Sequence, residues 1–120
     1  EAQKELIDFS HDTSLWEKII EERELERERK RRELLRFVED WLKIYFRGKR
    51  IKSVYIFGSL LRHGQFYDFS DVDIAVEGLE DDYFKTILEI EDIVGRDVEL
   101  VEVEKCRFGE AIKQHGLMVA

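Results

Sequence analysis

The sequence predicts a mixed α/β fold of the α+β kind: a sheet with helices packed against it, preceded by a long charged helix. Three observations predict it. Short runs rich in β-branched and aromatic residues occur near 51–57, 72–77 and 98–103. Apolar residues recur at helical spacing between and around them. Glycines at 48, 78, 95 and 116 punctuate the order helix, strand, strand, helix, strand, helix.

Residues 1–13 carry no firm periodic signal, and His11 has no evident partner. Ser14 with Glu17 three residues on reads as a capping box ahead of Leu15, Trp16, Ile19 and Ile20, so a helix is expected to start there. From Glu21 to Glu33 the one apolar residue is Leu25. That stretch reads as a solvated helix supported by i,i+4 pairs such as Glu26–Lys30 and Glu28–Arg32. Leu34, Leu35, Val38, Trp41, Leu42 and Tyr45 then return at helical spacing, with both tryptophans read as packing residues. The expected helix runs from about 14 to 47, either unbroken or interrupted in its charged middle.

A strand follows at 51–57, then a loop over 60–70 and a second strand at 72–77. Glu80, Asp81 and Asp82 suit the first turn of a helix whose apolar face is Tyr83, Phe84, Ile87, Leu88, Ile90 and Val94. The third strand spans 98–103 and a last helix about 106–115, and Leu117 to Val119 can add a short edge strand. The division expected is an N-terminal helical extension, 1–33, and a small domain, 34–120.

Charge is uneven along the 120 residues. Residues 1–50 balance, whereas 51–120 carry the net charge of −8. An acidic lobe repels bare phosphate backbones, so direct nucleic-acid binding is not expected. The acidity suits a basic protein partner, and ordinary solubility explains it equally well. There is no run of about eighteen apolar residues, hence no expected membrane span. A secretory signal is not visible, and the single cysteine, Cys106, cannot form an internal disulfide. A cytoplasmic setting fits.

Chemistry concentrates in the middle of the chain. Asp71 and Asp73 sit two apart on a strand, so they point to one face. Two carboxylates that close repel unless a cation lies between them. Hard oxygen donors suit Mg2+, which binds a few carboxylates together with substrate phosphates. Upstream, the Gly58-Ser59 turn lets phosphate oxygens approach backbone N–H groups, and Arg62 can steady triphosphate oxygens. Asp97 and Glu99 share a face of the third strand. Glu99, well inside it, is favoured as a third carboxylate, with Asp97 the alternative. Three such acids can hold two magnesium ions.

Phe57-Gly58-Ser59, the loop with Arg62 and Gly64, Ser70-Asp71-Val72-Asp73-Ile74 and Val98-Glu99-Leu100-Val101 together resemble the signature of the polymerase-beta-type nucleotidyltransferase superfamily, in particular its minimal (MNT) branch. The resemblance covers about 34–120, including Ile112-Lys113-Gln114-His115-Gly116. It implies a nucleotidyltransferase fold, ATP as substrate, two Mg2+ ions, Gly58 and Ser59 at the triphosphate, Asp71 and Asp73 at the metals, and Glu99 as the third acid. The third acid is Glu where Asp is usual, and the loop before Asp71 is about one residue longer than the commonest spacing. Too few residues follow Glu99 for the helical acceptor domain of larger members, so a partner is expected to present the acceptor. The MNT branch is known largely as antitoxins paired with HEPN ribonuclease toxins, and a HEPN-type toxin is therefore the implied partner. Two other readings remain: a non-catalytic module that neutralises a toxin by covering it, and a transferase for small antibiotic-like molecules. Leu15, Trp16, Ile19 and Ile20, beyond the small domain, are expected to contact another chain, and the same helix could pair with a second copy.

Overall fold

The computed structural model describes the backbone of residues 2–120 and the side chains of residues 14–120. His11 and the other side chains before Ser14 lie outside it. The first element is one helix, α1 (Ala2–Tyr45), 44 residues long. At 1.5 Å per residue it spans about 66 Å, which accounts for the molecular extents of 72 × 27 × 20 Å. It passes through Ser14 and through residues 33 and 34 without a break. The capping-box start at Ser14 is therefore overturned. A cap needs free N–H groups at a helix end, and Ser14 is in the helix interior.

Four strands follow: β1 (Ser53–Phe57), β2 (Val72–Glu77), β3 (Val98–Glu102) and β4 (Leu117–Met118), in the spatial order β3-β2-β1-β4. β1 is antiparallel to both β2 and β4, and β2 is parallel to β3. The parallel pair is joined by a crossover through α2 (Tyr83–Val94), as parallel neighbours require. Asp82 caps α2, its Oδ1 accepting from the Lys85 amide at 2.8 Å; the acidic run thus lies just outside the helix rather than in its first turn. Gly95 ends α2 at φ 77°, the left-handed conformation that glycine adopts without steric cost. The last helix, α3 (Gly109–His115), is shorter than its expected span, because residues 106–108 turn before the helix begins.

The pleat divides the core in two. Val54, Ile56, Val72, Ile74, Val76, Val98 and Leu100 face α1 and α2, where Val38, Leu42, Phe46 and Ile90 close the larger cluster. Tyr55, Ala75, Val103 and Ile112 form a smaller cluster under α3 on the opposite face. The apolar packing of helix α1, among the described side chains, lies along its C-terminal turns. Val38 and Leu42 are buried, whereas Trp41 is 41% exposed and Trp16 61% exposed. The packing role read for the tryptophans does not hold: Trp41 projects from a flank of the buried stripe, and Trp16 lies in a section of α1 where no described side chain is buried. Phe84 and Leu88 of α2 are likewise exposed, and Thr86 takes a buried place instead, its hydroxyl donating to the Asp82 carbonyl at 2.7 Å.

These contacts set a stability contrast between neighbours. Leu42→Ala should cost about 2–5 kcal/mol, from lost transfer energy plus a cavity. Trp41→Ala should cost under about 1 kcal/mol. Urea unfolding followed by circular dichroism measures both.

Candidate functional site

The site lies at the end of the sheet where β1 stops and β2 starts. Register brings the chemistry together. Phe57 of β1 lies opposite Asp73 of β2, and Asp73 lies opposite Glu99 of β3. Side chains opposed in a ladder share a face, so Asp73 and Glu99 stand side by side on the α3 face. Asp71, two residues earlier, precedes β2 on the same alternation. Asp97 falls just before β3, and its carbonyl accepts the Val72 amide at 3.0 Å. Of the two acids proposed for the third position, Glu99 is the one paired with Asp73.

Burial and charge show the strain of this arrangement. Asp73 is half-buried; Asp71 and Glu99 are exposed. The Asp73 carboxyl is pushed up to about 6, first by desolvation, then by its hydrogen-bonding approach to Glu99 and the negative charges of Glu99 and Asp71. Among the described residues, no three His, Cys, Asp or Glu side chains form a preassembled cation cage. What the structure brings together is a pair, Asp73 with Glu99, with Asp71 near enough to act on it through charge. The donor set is all oxygen, on one face and strongly negative, and it fits a hard divalent cation.

Directly above Asp73 the chain turns. Gly58 opens a 3-10 turn, Gly58–Leu61, at φ 76°. A Cβ on Gly58 would lie 2.1 Å from Asp73 Oδ2. The glycine is required twice, for its backbone conformation and because the acid occupies the space a side chain would need. Ser59 follows in the turn, and its carbonyl accepts the Arg62 amide at 3.0 Å. Gly58 and Arg62 line an open cleft of about 530 Å³, whose far wall is Ala111, Ile112 and His115 of α3.

The sequence reading includes Ile112 and His115 in the resemblance but gives them no role at the site, and the structure makes them that wall. The available signal was the helical spacing of 111, 112 and 115 just before the edge strand. The loop leading to Asp71 is also fixed in ways its composition hides. Phe66 is buried, Arg96 Nη1 donates to the Ser70 carbonyl at 3.0 Å, and the Tyr67 amide donates to Ser70 Oγ at 2.9 Å.

A mixed sheet carrying two strand-borne acids beneath a glycine turn defines a class, the nucleotidyl-transferring folds. The polymerase beta nucleotidyltransferase family model matches residues 40–119, two-thirds of the chain, and the chain belongs to that family. No curated protein sequence matches it. Among solved structures, it is similar to a chain in the crystal structure of a mutant toxin–antitoxin MntA–HpeT complex, at 19% identity and TM-score 0.57, covering 68% of this chain and 72% of that one. A second, the toxin–antitoxin MntA–HepT complex, aligns at 18% identity and TM-score 0.52, covering 71% of each chain. At these identities the likeness is one of fold.

Two outcomes follow from the geometry. Gly58→Ala should displace Asp73 and destabilise the fold by about 1–3 kcal/mol, read as a lowered urea midpoint. The Asp73 shift carries a pH signature. Between about pH 4 and 6 the native state holds a proton that the unfolded chain releases, so stability falls as pH rises through that window. Asp73→Asn should remove this fall, raising Tm above native at pH 7 in divalent-free buffer and leaving it near native below pH 4. Thermal scans across pH check both arms.

Proposed function

We propose that this protein is a magnesium-dependent nucleotidyltransferase that moves AMP from ATP onto a hydroxyl of a partner protein, as the antitoxin of a HEPN/MNT toxin–antitoxin pair. The observation that carries the reading is the opposition of Asp73 and Glu99 beneath the Gly58 turn, in a chain of the polymerase beta nucleotidyltransferase family. The antitoxin role is supported by the likeness of fold to chains in two toxin–antitoxin complexes.

In this reading each residue has a distinct task. The N–H groups of the Gly58-Ser59 turn receive triphosphate oxygens, and Arg62, at the mouth of the cleft, adds charge-assisted hydrogen bonds to them. Asp71, Asp73 and Glu99 would hold magnesium. Bound there, the metal supplies neutralisation of phosphate charge and polarisation of the acceptor oxygen. The acceptor hydroxyl attacks the α-phosphorus; the new O–P bond forms as the bond to the bridging oxygen breaks, and pyrophosphate leaves. The hydroxyl proton passes to a carboxylate, and Glu99, exposed beside Asp73, is placed to take it. The α3 wall limits how the nucleotide and acceptor can approach. Positioning and charge neutralisation are the main requirements of such a transfer.

The test is mass spectrometry of the partner toxin after incubation with magnesium and each of the four ribonucleoside triphosphates. The expected result is an AMP adduct on a partner hydroxyl. Combined Asp71→Asn and Asp73→Asn should lower its rate by about 1,000-fold or more while binding to the toxin persists. A double variant that modifies the toxin at the native rate overturns the mechanism. A native protein that neutralises the toxin without modifying it identifies a covering antitoxin instead, and adducts on small hydroxylated molecules alone identify the third reading.

A further inference from the structure

Glu28 and Arg31 lie in the stretch of α1 that reads as solvated helix, and ahead of the part of the chain that the family model matches. Both are 8% exposed. Arg31 donates from Nε and Nη2 to the two carboxylate oxygens of Glu28, at 3.0 and 2.9 Å. Its remaining arm, Nη1, donates to the carbonyl of Leu60 at 2.9 Å. Glu28 Oε1 also accepts the backbone amide of Gly64 at 2.6 Å, and His63 Nε2 stands 3.6 Å from Glu28 Oε2. The i,i+4 partnership of Glu28 with Arg32 is thus replaced by an i,i+3 pair that points inward. Of the other expected pair, Glu26 is held by Arg29, which also bonds Glu33 in solvent.

The groups this pair grips are backbone atoms of the phosphate turn and its exit. Leu60 belongs to the turn Gly58–Leu61, and its fully buried side chain anchors the turn in the core. Arg31 holds the same residue by its carbonyl, and Glu28 holds Gly64 four residues on. The segment that must present N–H groups to a triphosphate is therefore clamped from below by Leu60 and from the side by α1. Arg31 is buried and each of its three nitrogens already bonds Glu28 or Leu60, so it is held away from the role of a mobile phosphate ligand.

We infer that Glu28 and Arg31 are positioning residues for the phosphate turn, so that the helix preceding the family domain is part of the catalytic scaffold. The inference rests on the site being a triphosphate site, as proposed above, but its first readout does not. Removing Arg31 leaves a buried carboxylate and a buried carbonyl without their partner, and the turn loosens. Misplacement of a binding group by about 1 Å can cost about 100-fold in rate.

The experiment compares native protein with Arg31→Met, Arg31→Lys, Glu28→Gln and the control Arg29→Met. The readouts are amide hydrogen exchange, magnesium–ATP titration and transfer kinetics. Exchange at Arg62, Gly64 and Gln65 should quicken at least tenfold in Arg31→Met, with Val54 and Val119 unchanged. KM for the triphosphate should rise about tenfold or more, with a smaller change in kcat. Arg31→Lys, which keeps the charge and a donor, should recover part of both effects. Arg29→Met should match native. If Arg31→Met does not fold, Glu28→Gln and Arg31→Lys are read in its place, with the same residues expected to exchange faster than native. Unchanged turn exchange overturns the inference, as does acceleration spread equally over the sheet, which would mark a purely global effect on stability. Selective loosening of the turn in a protein whose native form transfers no nucleotide would uphold the positioning of the turn and defeat the transferase reading. Native transfer with normal kinetics and exchange in every variant would do the reverse.

Discussion

Two carboxylates face each other across the parallel pair β2–β3, and most of the site can be understood from what that opposition demands. Asp73 is held against Glu99 by strand register, not by any attraction between them. Their mutual repulsion and the partial burial of Asp73 are met by raising the proton affinity of Asp73. Hydrophobic packing on the other face supplies the force that holds the register. Val72, Ile74 and Val76 alternate with the acid-bearing positions of β2 and are fully buried. Slipping the pairing by one residue would bury charge and expose three valine or isoleucine side chains together. The sheet can therefore carry an electrostatically costly pair at its edge because its opposite face is mainly apolar and buried.

The same register explains the glycine turn. The backbone leaves β1 directly over Asp73, closer than any side chain would permit. A backbone approach that tight puts the start of the Gly58–Leu61 turn directly against the acid-bearing face of the sheet. The cleft beside it is completed by α3, packed on the smaller core cluster that includes Tyr55, Ala75 and Ile112.

On the other side of the sheet, α1 has two roles along one continuous rod. Its C-terminal turns fill the main core through Val38 and Leu42. Its middle section uses a buried ion pair to reach the backbone of the 60–64 segment. Farther out, Leu15, Trp16 and Ile20 are exposed. Such a helix can hold an apolar ridge away from the Asp73–Glu99 end of the sheet while remaining mechanically joined to it.

Much of this was legible in the residues themselves. Alternation located β2 within the sequence and put Asp71 and Asp73 on one face, because strand geometry is local. Helical spacing found the packing stripe of α1 and most of α2, and Gly95 marked the end of α2. Harder to read was anything set by contacts distant in the chain. Glu28 and Arg31 look like solvated charges, because nothing local announces a buried carbonyl at Leu60 or an amide at Gly64. The start of α1 was misplaced because a Ser-x-x-Glu pattern is equally compatible with a helix interior. His115 became a cleft residue only when β4 paired with β1 and carried α3 over the site. By itself the sequence determined that Asp71 and Asp73 share one local face, and Asp97 and Glu99 another. Only the tertiary structure decided that Glu99 rather than Asp97 stands against Asp73, and that a helix ahead of the family domain grips the backbone at Leu60 and Gly64. Those two outcomes depend on strand register and on long-range burial, which no local period encodes.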